Sequence, residues 1–212
     1  MKFEVGKENE GPEPGMCRAY LKAWIDRGTE ASKNAEYRPR RKVQIQWVLD
    51  QNRPDGSPHT VNGFYSQTFS ERSKLRIMLE TWRGKPYQIS DVFEPAKALG
   101  QSALLNVTIN ERGYADAMSV NPLPRSMEKM EPVDTIYWSM DEPDWSAWEQ
   151  LHEKTQEAIE KSPEYQALKG TTPVRGVPPT TGSTRPPDTA SARQAVLAET
   201  AGVDDFDDPI PF

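Results

Sequence analysis

The stretch "CRAYLKAWID" places Arg18, Tyr20, Lys22 and Trp24 at every second position, so that cations alternate with rings. Side chains two residues apart share one face of a strand, and this pattern would line guanidinium and ammonium groups up beside aromatic planes. Such a surface suits single-stranded nucleic acid, whose phosphates need cations and whose unstacked bases need flat partners. Stacking on a ring contributes about 1 to 3 kcal/mol per base and does not depend on which base it is. The same pattern also describes a solvated strand face whose rings lie under a helix or a second subunit. Arg38, Arg40, Arg41 and Lys42 follow, where they could grip a phosphate backbone or form an ordinary charged turn. Phe64 and Tyr65 are adjacent, so on a strand they face opposite sides and one of them belongs to a core.

Catalytic chemistry finds little support. His59 sits in a turn and His152 on a helical pattern far away in sequence, and neither has a Cys or His at metal-ligand spacing. No Gly-rich phosphate loop, G-x-S-x-G or H-E-x-x-H pattern is present. Asp141, Glu142 and Asp144 could hold Mg2+ as a nuclease does, but carboxylates ahead of a helix ordinarily cap it. The chain reads as a binding protein and not an enzyme, with no cofactor and no metal.

The elements that would position these residues can be read from periodicity. In the first strand Cys17, Ala19, Leu21, Ala23 and Ile25 fall opposite the basic and aromatic positions. "RKVQIQWVLD" repeats the alternation with Val43, Ile45, Trp47 and Leu49 inward and Lys42, Gln44 and Gln46 outward. The loop "QNRPDGSPH" is a turn signal, and "TVNGFYSQTF" makes a third strand. The period then becomes helical. Ser70 is the expected N-cap of "ERSKLRIMLETWRG", Leu75, Met78, Leu79 and Trp82 form its apolar stripe, and Gly84 with Pro86 ends it. Trp47 and Trp82 both fall on apolar faces and are expected in the core. "SALLNVTIN" and "GYADAMSVNPL" complete the set as a hairpin turning at Glu111, Arg112 and Gly113. Five strands with a helix between the third and fourth is the order of an OB-fold, a mainly β, partly open barrel that binds oligonucleotides across its second and third strands and adjoining loops.

Flanking segments differ in character. Residues 1–15 read as a flexible leader, 16–125 as the barrel, and 126–169 as an acidic helical extension with Asp144 as N-cap of "DWSAWEQLHEKTQEAIEKSPEY". Residues 170–203 are a Pro- and Thr-rich linker expected to be disordered, with a coil span of roughly 30 to 35 Å. The formal net charge of -6 hides a strong asymmetry, because residues 16–85 carry 14 basic and 7 acidic side chains while residues 126–169 carry 4 and 11. A basic block followed by acidic ones fits a polyanion site with an acidic appendage. The single cysteine, Cys17, allows no intrachain disulfide, and no apolar run approaches the roughly 18 residues that span a bilayer. A soluble cytosolic protein, with no membrane contact and capable of forming a homo-oligomer, is the expectation.

The last residues read "DDFDDPIPF". Asp204, Asp205, Phe206, Asp207, Asp208, Ile210, Pro211 and Phe212 resemble the acidic tip of bacterial and phage single-stranded DNA-binding proteins, with Pro209 where an aspartate is usual. "LETWRGKPY", "LGQSALLNVTI", "YADAMSVNPLP", "DWSAWEQL" and "KSPEYQAL", spread over residues 16–168, resemble a phage-encoded replication protein of the same functional class. The resemblance implies a protein that coats and protects single-stranded DNA in phage replication, recombination and repair, in the host cytoplasm. It also implies a tip that recruits replication, recombination and repair enzymes: Phe212 would enter an apolar pocket, worth about 1.5 to 3 kcal/mol for the ring, while its carboxylate meets a basic rim. Two other readings stay open, a recombination mediator or strand-annealing protein, and an adaptor that binds no DNA and carries a mimic tail. Deletion of Asp204 to Phe212 is expected to leave single-stranded DNA affinity equal or slightly higher and to abolish capture of the host's tip-binding enzymes, read by paired anisotropy and pull-down measurements.

Overall fold

The structure, a computed structural model, describes residues 11–31 and 38–170. The expected leader lies mostly outside the described residues, and the linker and acidic tip lie wholly outside them except for Gly170. The described chain is mainly β. In order it contains β1 (Gly15–Glu30), β2 (Arg40–Asn52), β3 (Pro58–Ser66), α1 (Lys74–Arg83), α2 (Pro95–Ala98), β4 (Ser102–Ile109), β5 (Ala115–Pro122), β6 (Ile136–Trp138), α3 (Trp145–Glu149), α4 (Glu153–Glu160) and α5 (Pro163–Gly170). The sheet runs β3-β2-β1-β4-β5 with every neighbouring pair antiparallel, and β6 pairs with β1 in parallel. It is an open sheet, since no ladder joins β3 to β5 among the described residues.

β1 organises the molecule. Its first half pairs with β4 from Gly15 to Tyr20, its second half pairs with β6 from Ala23 to Ile25, and β2 runs along its other edge from Ala19 to Glu30. The alternation expected for this strand does not survive its length, because the register shifts between Leu21 and Ala23 and again between Asp26 and Gly28. A bulge adds one residue and reverses which face every later side chain takes. Cys17, Ala19 and Leu21 therefore share one core with Trp24, whereas Ala23 and Ile25 belong to a second core on the opposite face.

The first core lies between the sheet and α1. Val43, Ile45, Trp47 and Leu49 enter it from β2 as their alternation requires, joined by Leu105 and Val107 from β4 and Leu75, Met78 and Leu79 from α1. Trp82 packs edge-on against Trp47 with ring centres 4.9 Å apart, and its indole N–H donates to the Ser102 carbonyl at 3.1 Å. The N-cap of α1 is Ser73, not Ser70: the Ser73 hydroxyl accepts from the Arg76 N–H, and the turn closed by Ser70 precedes the helix.

The second core is built by the acidic extension. The single helix expected there is three, because the chain turns at Gln150–His152 and again at Ser162 before Pro163. Asp144 caps α3 as expected, and the His152 imidazole caps α4 by accepting from the Lys154 N–H. Trp138, Ile159 and Tyr165 are fully buried, and Trp148 stacks on Tyr165 at 4.9 Å. Close approach of the extension to β1 requires Gly28, whose φ is 69° and where a Cβ would lie 2.5 Å from Ser162. The Glu164 carboxylate accepts from the N–H and hydroxyl of Thr29 and fastens α5 to the end of β1.

These packing relations relocate two residues of the expected binding face. Trp24 is 4% exposed and meets Phe93 with ring centres 5.3 Å apart, while Tyr20 is 5% exposed and its hydroxyl both donates to the Val133 carbonyl and accepts from the Val133 N–H. Trp24→Ala is expected to cost about 3 to 5 kcal/mol of stability, read as a lower urea midpoint, with DNA binding by the folded fraction unchanged.

Candidate nucleic-acid interface

The outer face of β2 and β3 carries a connected set of polar and aromatic groups. The alternation that sends Val43, Ile45 and Trp47 inward sends Gln44 and Gln46 outward, opposite Phe64 and Asn62 on β3. Arg27, brought to this face by β1, donates from Nη1 to Gln44 Oε1 at 2.9 Å, and Gln44 Nε2 donates to Asn62 Oδ1 at 3.1 Å. The Arg27 guanidinium also lies over the Phe64 ring, 5.1 Å from its centre, and its Nε donates to Glu30 at 2.6 Å. Phe64 is thereby held from one side by a cation and left 58% exposed on the other. Tyr65 turns inward against the first core, as one of the two rings had to, and burial raises the pKa of its phenol.

A cleft of about 740 Å3 opens beside Phe64, between β3 and the two tight turns at this end of the sheet. One turn joins β2 to β3: Arg53 N–H donates to the Ser57 carbonyl at 2.8 Å, and Asp55 Oδ1 accepts from the Ser57 N–H and hydroxyl at 2.9 and 2.6 Å. The other joins β4 to β5. There Asn110 Oδ1 accepts from the Arg112 and Tyr114 N–H groups at 3.0 Å each, and its Nδ2 donates to Asp116 at 2.8 Å. This bracing presents Tyr114, 68% exposed, to the cleft. Two exposed rings on separate elements thus flank one concave space, with Arg53, Thr60 and Asn62 between them. His59 also lines it; burial holds the imidazole below its usual pKa, and Arg53 adds to the effect.

The residues singled out from sequence divide into several groups. Phe64, Lys42 and Arg40 occupy outward positions of β2 and β3, with Lys42 Nζ donating to Ser66 Oγ at 3.1 Å, and Arg38 is exposed just before β2. Arg18 remains on the surface of β1, but its Nε is paired with Asp50 at 2.9 Å. Lys22 is partly exposed at the first bulge. Tyr20, Trp24 and Tyr65 are packed inside, so the interleaved face of β1 is not assembled as its spacing suggested. Arg41 serves the fold: it forms an ion pair with the buried Asp26 and donates to Asp141 at 3.0 Å, and these bonds raise its pKa. Asp204 to Phe212 lie outside the described residues.

Sequence reasoning passed over Arg27, Arg53, Asn62 and Tyr114. A ring placed directly after the Gly of a hairpin turn is a signal that could have found Tyr114. Arg27 gave none, because its face depends on the bulges of β1. Among the described residues no group of three or more His, Cys, Asp or Glu side chains could hold a metal ion, and no helix is long and apolar enough to cross a membrane. Comparison of the chain with protein-family models, curated proteins and solved structures found no match.

Arg41 ties the start of β2 to the extension, and its loss leaves the Asp26 carboxylate, 2% exposed, with only the Gly28 and Met140 N–H groups. Arg41→Ala is expected to lower stability by about 3 kcal/mol in chemical denaturation, whereas Arg38→Ala, at an exposed site, leaves the midpoint unmoved.

Proposed function

We propose that the protein binds single-stranded DNA along the outer face of β2 and β3, coats and protects it in replication, recombination and repair, and recruits partner enzymes through Asp204 to Phe212. The observation that carries this reading is the pair of exposed rings, Phe64 backed by Arg27 and Tyr114 on its braced turn, on either side of one cleft. Rings left open to solvent on rigid elements are what unstacked bases require, and duplex DNA does not offer its base faces to them. Cations at both ends of the face, Arg40 and Lys42 at one and Arg112 at the other, suit a phosphate backbone following β3. The strand order β3-β2-β1-β4-β5, with α1 and α2 between β3 and β4 and with β3 approaching β5, supports reading the open sheet as an OB-fold, a partly open barrel. In that fold the β2–β3 face and the β4–β5 loop are the oligonucleotide site, which is where the cleft lies. The tip enters the proposal through its resemblance to the terminal segment of single-stranded DNA-binding proteins.

Anisotropy titrations with labelled oligo(dT) and with a matched duplex, each at two salt concentrations, test the reading. The expected result is tighter binding of the single strand, weakened by salt, and a further loss of about tenfold in both Phe64→Ala and Tyr114→Ala with melting temperatures unchanged. Equal affinity for the duplex would sink it. Single-strand binding that ignores both substitutions would move the site elsewhere, and accelerated pairing of complementary strands would favour a recombination mediator.

A further inference from the structure

We infer that the cleft between the Arg53–Ser57 and Asn110–Tyr114 turns receives a nucleobase and selects one with an exocyclic amino group, cytosine above all, over thymine. The inference rests on the single-stranded DNA reading and adds a base preference to it.

The lining is a poor seat for a phosphate. Asp55 and Asp116 face it alongside a single cation, Arg53, and His59 is held neutral by its burial, so the local charge repels an anion. The same lining is well made for neutral hydrogen-bond donors. An ionised carboxylate only accepts, and each of these two has one oxygen engaged within its own turn. Asp55 Oδ1 takes the two Ser57 donors and Asp116 Oδ2 takes Asn110 Nδ2, which fixes each group and leaves Asp55 Oδ2 and Asp116 Oδ1 without a partner among the described residues. The bonds from Ser57 also hold the Asp55 carboxyl below its usual pKa, so it is ionised at neutrality. Phe64 and Tyr114 supply flat apolar surface for the face of the same base.

Donors complete the pattern. Asn62 Oδ1 is occupied by Gln44, which leaves its Nδ2 as a donor, and Asn62 and Arg53 both line the cleft. Cytosine presents an amino donor next to ring-nitrogen and carbonyl acceptors, the complement of a carboxylate beside an amide or guanidinium. Thymine has a carbonyl oxygen where cytosine has the amino group, and that lone pair would meet a carboxylate. Adenine shares the amino group but lacks the second carbonyl acceptor. A cleft of about 740 Å3 falls in the size range of pockets that enclose small ligands and has room for a single nucleotide.

The test uses the full chain, with equal-length oligo(dC), oligo(dA) and oligo(dT) competing above neutral pH, where oligo(dC) stays unpaired. The wild-type protein is expected to prefer oligo(dC) to oligo(dT) by on the order of fivefold or more, with oligo(dA) between them. In Asp55→Asn combined with Asp116→Asn that ratio should fall toward one while oligo(dT) affinity holds or rises, since two negative charges are gone. Equal wild-type affinity for all three oligomers, with single-strand binding intact, would overturn the base preference and leave the proposed function standing. A cytosine preference that persists in the double variant would overturn the role of the two carboxylates. Absence of any single-strand binding would remove both readings.

Discussion

One added residue in β1 sets the arrangement of everything else. Before the bulge near Lys22, odd-numbered side chains fill the first core; after it Trp24 takes that role, and Ala23 and Ile25 turn to the other face. A regular strand would have kept Ala23 and Ile25 with the first core and sent the Trp24 ring to the opposite side. Burying a tryptophan in a packed core is worth about 3 to 5 kcal/mol against its truncation, so the shifted register is strongly preferred over a regular one. The shift also makes a second apolar face on the same strand. Without Ala23 and Ile25 turned outward, the extension would have no surface on β1 to pack against.

That second face decides where the acidic part of the chain goes. α4 and α5 rest on β1, α3 rests on β6, and Gly28, Thr29 and Asp26 each hold a contact to the extension or the segment before it. The helices thereby cover the outer side of β1 and leave that of β2 and β3 open at Phe64. Charge follows the same division. The extension carries 11 acidic and 4 basic side chains and meets Arg41 through Asp141, whereas Arg38 and Arg40 stand exposed at the start of β2. A polyanion on the β2–β3 face would be repelled from the β1 side at distances of up to about 8 to 10 Å and so confined to the path along β3. The extension acts as an electrostatic border as well as a packing layer.

The parts of this arrangement that were legible in the sequence are those where a single period holds. β2 keeps strict alternation across Val43, Ile45, Trp47 and Leu49, and α1 keeps a helical stripe, so both read correctly apart from the cap at Ser73. β4 and β5 were also legible because Gly113 marks their turn. β1 was misread beyond Leu21 because a bulge leaves no mark in composition: "YLKAWI" alternates equally well in either phase until the partner strand fixes the register. Of the face inferred from that alternation, Trp24 turned into the first core with the shift, while Tyr20, ahead of it, was covered by the segment at Val133. β6 is only 3 residues long and pairs in parallel with a strand more than a hundred positions earlier, a contact no local pattern encodes. For the candidate site, Phe64 and the flanking cations were legible, but the partners that make a cleft of them, Arg27 and Tyr114, come from elements whose juxtaposition is tertiary.

The two rings at the cleft are held without the help of another ring, unlike several rings of the cores. Ring packs on ring in Trp47 with Trp82, Trp24 with Phe93, and Trp148 with Tyr165. Phe64 is held by a guanidinium that is itself anchored by Gln44 and Glu30, and Tyr114 by a turn whose amides converge on Asn110. Leaving a phenyl ring more than half exposed forgoes much of the roughly 1.5 to 3 kcal/mol that its burial would bring, and a cation over one face returns only about 0.5 to 1 kcal/mol. Folding alone therefore gives no reason to brace these two rings at the surface. A ligand that covers the open faces does give one, because rings fixed in advance lose little conformational freedom when a base is laid on them.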